Sequence, residues 1–481
     1  MNKSKFLLSL GIVASPSLAF AEGNASKPDR PNVLFIAVDD LRPELGCYGQ
    51  THVISPNIDR LARSGIVFEN AYCNYPACGP SRTSLMSGVF PGTDRFGWVQ
   101  DQDLPGVVSL PMHFRNNNYT TVALGKVYHY RVDAQGSWDR VWQPPVTTDR
   151  RDYQSPENIR IIDEQIRAGV TGRSPNAMAY ERADVPDITY FDGRIANRAI
   201  EELWGFKNSS EPFFLAVGFH KPHLPFNAPA KYWDLYDEKD IKLPPNMDFA
   251  EDAPRAARSH WGELRNYYGI PEKGPVPDTT ALRMLHGYYA CVSYVDAQIG
   301  KLIETLNYLG MANNTIIILW GDHGFSLGEN GLWAKHNSFK RASHSPLIVS
   351  VPWKNSGLRT DSLVEFVDIY PSLVELAGLR PPFHLQGRSF APLFDNPDQP
   401  WKEAVFYRTG NGETIVTATH AYTEWINPDN GNTYARMLYD HETDPEETVN
   451  ISEHPENKSL VKDLHERLHK HLMERDRILI P

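Results

Sequence analysis

Apolar residues in this chain come in short unbroken runs that stop at charged ones. Residues 33–38 (VLFIAV) stop at Asp39-Asp40, residues 213–219 (FFLAVGF) at His220-Lys221-Pro222-His223, and residues 315–320 (TIIILW) at Gly321-Asp322-His323. A run of this length without alternation predicts a strand buried on both faces, as in parallel sheets. Residues 120–124 are a shorter β-rich run leading to Gly125, Lys126 and His129, and residues 66–72 also read as extended. Between the runs, Ser55-Pro56 opens a capped helix that closes at Gly65, and 187–204, 288–309 and 368–378 carry apolar residues at helical spacing. The alternation predicts an α/β fold with a large, mostly parallel sheet flanked by helices. Ligands of open α/β sheets bind beyond the carboxyl ends of the strands, so Asp39, Asp40, Lys126, His220, Asp322 and His323 are expected at one edge.

Two stretches break the pattern. Residues 131–185 and 237–278 are rich in Pro, Asp and Arg with little periodicity, and read as long insertions over that edge, either as binding loops or as surface decoration. From about residue 381 the chain turns to Pro-rich turns and short β-rich runs, such as 405–407 and 414–417, followed by a charged helix at 456–473. The expected organisation is a signal peptide at 1–21, a large α/β domain at 22–380 and a C-terminal α+β subdomain at 381–481 with a small antiparallel sheet.

Composition narrows the function classes. Hydrophobic residues make up 41% of 481, which suits a globular chain rather than a disordered one. The net charge of -11 disfavours nucleic acid as a partner, so an anionic substrate must be met by a local basic group or a metal. Two lysines, an apolar run at 6–14 and Ala19-Phe20-Ala21 predict a cleaved export signal, too short for a membrane anchor. The protein is therefore expected outside the inner membrane, in the periplasm of a Gram-negative source. Cysteines stand at 47, 73, 78 and 291; in an exported chain they would ordinarily suggest disulfides, and a Cys73–Cys78 bridge is the alternative to a free Cys78.

Cys78-Gly79-Pro80-Ser81-Arg82 has a turn dipeptide, a proline suited to a first helical position and, further on, Gly88 suited to the residue past a helix end. Cys78 is thus expected at a helix N-terminus, a place that favours negative charge. The pentapeptide resembles the C-x-P-S-R signature of the type I sulfatases. DDLRPELGCYG at 39–49, SPNIDRLARSGIVFENAY at 55–72, GKVYH at 125–129, HKPH at 220–223 and GDHGFSLGENGLWAK at 321–335 are similar to the iduronate-2-sulfatase branch of that family.

The resemblance implies an alkaline-phosphatase-like sulfatase fold, with a C-terminal subdomain echoed in 436–440 and Asp444-Pro445. It implies that Cys78 is oxidised to formylglycine by a maturation enzyme, and that a geminal oxygen of its hydrate attacks sulfur to form a covalent sulfate. Asp39, Asp40, position 78, Asp322 and His323 would bind the metal, calcium by resemblance, with manganese as the alternative because imidazole suits it better. Arg82 would hold the hydrate and carboxylates, Lys126 and Lys335 would bind substrate and neutralise oxygen charge, and His129 would be the base for sulfate release. His220, bound to substrate, would be the acid for the leaving alcohol, as imidazole titrates near 6.5. His223, His336 and His344 carry no such assignment. Phe325 is expected near the substrate sugar, and residues 92–98 with Trp333 are candidates for a sugar-binding wall. The expected substrate is a sulfated carbohydrate. The rivals are a phosphonate or phosphodiester hydrolase of the same superfamily and a sulfated-glycan-binding protein that never matures. Oligomeric state is not legible.

Overall fold

The computed structural model describes residues 26–96, 104, 106–129, 134–145, 152–169, 176–259 and 262–477. The expected export signal, and Gly97 and Trp98, lie outside these residues. The strands are β1 (Asn32–Val38), β2 (Ile66–Tyr72), β3 (Thr120–Gly125), β4 (Arg140–Trp142), β5 (Tyr180–Ala183), β6 (Phe213–Phe219), β7 (Phe226–Pro229) and β8 (Thr315–Gly321). They continue with β9 (Ser326–Leu327), β10 (Trp333–Ala334), β11 (Leu347–Ser350), β12 (Leu358–Glu365), β13 (Val405–Thr409), β14 (Gly412–Val416), β15 (His420–Ile426) and β16 (Thr433–Asp440).

The large sheet has the order β12-β2-β11-β8-β1-β6-β3-β4. Only β11 runs against the other strands of this sheet, so the sheet is mixed but mostly parallel, as the apolar runs imply. Alternate side chains of the central strands enter two different cores. Leu34, Ile36 and Val38 pack with the Phe191–Phe206 and Asp278–Tyr308 helices on one face; Val33, Phe35 and Ala37 pack with the Ile369–Leu376 helix on the other. Burying each large apolar side chain contributes about 1.5–3 kcal/mol. That gain offsets holding charged groups out of water at the strand ends, which costs several kcal/mol per ion.

The Asp278–Tyr308 helix starts ten residues before the expected 288. Its first turns include Gly287, where a Cβ would stand 2.9 Å from Phe226 and Trp233 side chains, so close packing requires the glycine. The 131–185 stretch holds a further unexpected helix, Pro156–Arg167, capped by Ser155. The C-terminal region forms an antiparallel sheet in the order β13-β14-β15-β16. Val461, Leu464 and Leu468 of the Lys458–Arg475 helix pack on its Ile415, Tyr422 and Leu438. Among the described residues no helix is long and apolar enough to cross a membrane.

Candidate active site

Parallel pairing aligns the ends of four strands. Val38 is in register with Phe219 on one side and Gly321 on the other, and Gly125 with Gly218. The next residues, Asp39, Lys126, His220 and Asp322, therefore emerge together. Gly218 makes this approach feasible, because a Cβ there would fall 2.1 Å from the Lys126 carbonyl carbon. The Asp40 amide donates to Asp322 Oδ1 at 3.0 Å, joining two of the carboxylate-bearing turns. Asp39, Asp40 and Asp322 are all fully buried.

Arg82 lies among them, also fully buried. Its Nε donates to Asp322 Oδ2 at 2.9 Å and one terminal nitrogen to Asp39 Oδ1 at 3.2 Å; the other donates to the Lys126 and Val127 carbonyls. Lys126 Nζ bonds Asp39 Oδ2 at 2.5 Å. Lys335 Nζ donates to both oxygens of Asp40 at 2.9 Å and reaches Glu263 Oε2 at 3.0 Å. Burial opposes ionisation of Asp39, but Lys126, His223 and Arg82 hold its carboxyl well below the usual range. Asp40 is raised instead: burial and the Asp39 charge outweigh His223 and Lys335.

Cys78 is the first residue of the Cys78–Ser87 helix, with Gly88 closing it at φ 67. Pro80 is therefore the third helical residue rather than the first, still within the turn whose amides need no helical partner. Cys78 Sγ lies 3.2 Å from His323 Nε2 and 4.0 Å from Asp40 Oδ1. The helix end does not make it a thiolate, because burial and then Asp39 push its pKa well above the ordinary value. All four cysteines are free: Cys78 is unpaired, as conversion to formylglycine requires, and the alternative Cys73–Cys78 bridge is not formed.

The histidines divide by position. His323 Nδ1 lies 2.7 Å from the Gly324 carbonyl, which only accepts, so Nδ1 donates there and Nε2 faces Cys78 and Asp40. His129 sits 3.8 Å from where a Cβ on Gly79 would be, and burial with Lys126 lowers its pKa to about 4. The His220 and Lys221 amides both donate to Asp192 at 2.8 Å, which fixes the turn after β6. Burial and Lys126 lower His220 to about 3, so it is neutral in this state rather than partly protonated near pH 7. His344 Nε2 bonds the Glu69 carbonyl at 2.7 Å, as a core residue. His336 follows Lys335, and burial and then Lys335 hold its pKa down to about 3.

Two residues without an assigned role in sequence join the cluster. His223 Nε2 is 3.1 Å from Glu263 Oε1 and 3.9 Å from Asp40 Oδ2. Glu263 comes from the 237–278 insertion, which thus reaches the edge rather than merely decorating the surface. Phe325 is fully buried and stacked on Tyr288 at 5.8 Å, with Lys335 Nζ 5.9 Å from its ring centroid. Trp333 is partly buried against the core, and Arg95 is tied to the Phe90 and Arg475 carbonyls.

The donor set fits a divalent cation. Asp39, Asp40 and Asp322 each offer an oxygen within 4.8 Å of the others, and Asp40, Cys78 and His323 form a second such group. Hard cations prefer such oxygen-rich sets, and a cation would compensate the burial and the Asp39 repulsion that raise Asp40.

A mixed sheet between two helical layers, with a small antiparallel sheet appended, is the fold of the alkaline-phosphatase-like hydrolases. A solved enzyme in complex with its substrate D-glucosamine-2-N,6-O-disulfate shares it with TM-score 0.71 at 21% identity, over 93% of this chain and 98% of that one. The phosphonate monoester hydrolase of Silicibacter pomeroyi shares it with TM-score 0.72 at 20% identity, over 93% and 96%. Within that class, residues 31–379 match the family described as Sulfatase, and 328–474 match "N-sulphoglucosamine sulphohydrolase, C-terminal". Human iduronate 2-sulfatase is 33% identical over 474 residues, covering 88% of this chain and 84% of the relative. The chain belongs to the sulfatase family, the hydrolases of sulfuric esters, and resembles its iduronate-2-sulfatase branch.

Proposed function

We propose that this protein is an exported sulfatase that hydrolyses sulfate esters of a carbohydrate through a formylglycine made from Cys78. The carbohydrate is supported by the human relative's name and by the sulfated glucosamine ligand of the structural neighbour. One observation carries the nucleophile assignment. Cys78 stands at a helix start with its Sγ 3.2 Å from His323 Nε2 and 4.0 Å from Asp40 Oδ1, so position 78 lies against the groups that would hold the metal. Conversion to formylglycine by a maturation enzyme supplies, as the aldehyde hydrate, an oxygen nucleophile that requires no thiolate.

Asp39, Asp40, Asp322, His323 and position 78 would hold the metal, with calcium favoured by the carboxylates and manganese as the alternative. Such an ion supplies Lewis-acid polarisation of the sulfate oxygens. The chain's own residues do the rest. Arg82 fixes Asp39 and Asp322 and would help hold the hydrate at position 78. Lys126, with one donor on Asp39, keeps donors for sulfate oxygens. Lys335 spends its donors on Asp40 and Glu263 and contributes its charge to the developing negative oxygens. His129, neutral at working pH, accepts a proton when sulfate is released. His220 starts neutral, so it must take up its proton with the anionic substrate before donating it to the leaving sugar oxygen.

The test is sulfate release, measured by ion chromatography, from sulfated uronic acid, hexosamine and rhamnose glycans, beside phosphate diesters and phosphonate monoesters. Release of sulfate by matured protein, and none by Cys78→Ala, supports the assignment. Preference for the phosphorus esters would overturn it in favour of the phosphonate-hydrolase reading. Glycan binding without turnover in matured protein would favour a binding protein.

A further inference from the structure

We propose that Glu424, His465 and His469 form a second metal site, of the zinc type, that fastens the C-terminal helix to its sheet. His465-Glu466-Arg467-Leu468-His469 places two imidazoles one turn apart on one face of the Lys458–Arg475 helix. Both rings meet the same carboxylate on β15: His465 Nδ1 is 2.6 Å from Glu424 Oε1 and His469 Nε2 is 3.0 Å from Oε2. The three ligand atoms lie within 4.8 Å of one another, and the ring centroids are 4.1 Å apart.

The carboxylate is built in rather than adventitious. Its side chain is 1% exposed, and Tyr422 and Thr433 hydroxyls donate to its two oxygens at 2.6 and 2.7 Å, fixing its orientation as outer partners of a metal ligand do. The side chains of His465 and His469 are 45% and 34% exposed, which leaves solvent a route to a fourth position. Two imidazoles and one carboxylate are a donor set for zinc, at bond lengths of about 2.0–2.2 Å. Glu466 lies in an exposed pair with Lys462, so the arrangement suits holding rather than hydrolysis. The site shares no residue with the sulfatase cluster, and its failure would leave that reading intact.

The experiment uses full-length protein stripped with EDTA, returned to calcium to occupy the first centre, and titrated with zinc by calorimetry. Wild type is expected to take up about one equivalent more than His469→Gln and to gain several degrees in melting temperature that the variant does not. Far-UV dichroism and sulfatase turnover check that the variant is folded. If it is not, His465→Asn, at the more exposed histidine, takes its place. Equal zinc uptake and equal melting shifts in wild type and variant would overturn the proposal and leave these groups as hydrogen-bond partners.

Discussion

Replacing Arg82 by methionine removes the group that joins three strand ends. The guanidinium serves Asp322 and Asp39 carboxylates and the Lys126 and Val127 carbonyls, with no solvent to replace it. Breaking a buried ion pair from one side costs about 3–5 kcal/mol, and each stranded carbonyl adds about 1–3 kcal/mol. Some of this is recovered because Lys126 remains beside Asp39, so we take about 5 kcal/mol, a large share of a stability of about 5–15 kcal/mol. At about 2 °C per kcal/mol for a large domain, the melting temperature should fall by about 10 °C. Arg82→Lys keeps the charge but has one compact ammonium for four acceptors, and should lie between variant and parent. The assay is a thermal melt in EDTA, with Cys78 left as the thiol so that neither metal nor modification enters. A shift under 2 °C for Arg82→Met would refute the claim that Arg82 organises the edge.

Other consequences follow from the same geometry. His220→Ala should lower kcat about 10²–10⁴-fold on a sugar sulfate but under tenfold on an aryl sulfate with an acidic phenol, which needs little protonation; equal losses would exclude His220 as the acid. Because burial raises Asp40, protons compete for the metal site at higher pH than for an ordinary carboxylate, so calcium affinity should fall on mild acidification and binding should release protons. Calorimetry in buffers of different ionisation enthalpy reads this directly, and pH-independent affinity down through the carboxylate range would contradict it. Asp322→Asn should leave a folded protein with metal stoichiometry well below wild type, as measured by elemental analysis. Gly218→Val places atoms on the Lys126 backbone and should destabilise by at least about 2 kcal/mol in denaturant melts.

The strand ends were legible because burial on both faces demands unbroken apolar runs, and parallel pairing then brings their last residues together. Asp39, Lys126 and Asp322 needed nothing more. Glu263 was not legible: its segment has no periodicity, and it reaches Lys335 and His223 by a path no local pattern encodes. His223 was visible in HKPH, but its direction toward Asp40 depends on the turn held by Asp192, which lies 28 positions before His220. The Pro156–Arg167 helix did carry a signal, Ser155-Pro156 followed by Ile159, Ile161, Ile162 and Ile166, which the surrounding Pro and Asp residues obscured. The burial of Phe325 against Tyr288 was not legible, because a motif gives neighbours in sequence and not the side to which a ring turns. The state of His220 depends on a buried lysine from another strand, which no rule about isolated histidines contains.

The central claim is that Cys78 works only after conversion. The direct measurement is the mass of the tryptic peptide 64–82, taken from active protein made in a host with the maturation enzyme. Cys73 in the same peptide serves as an unmodified internal reference. An aldehyde at position 78, with Cys73 still a thiol, is the predicted result. Fully active protein in which Cys78 is entirely thiol, or bridged to Cys73, would contradict the account.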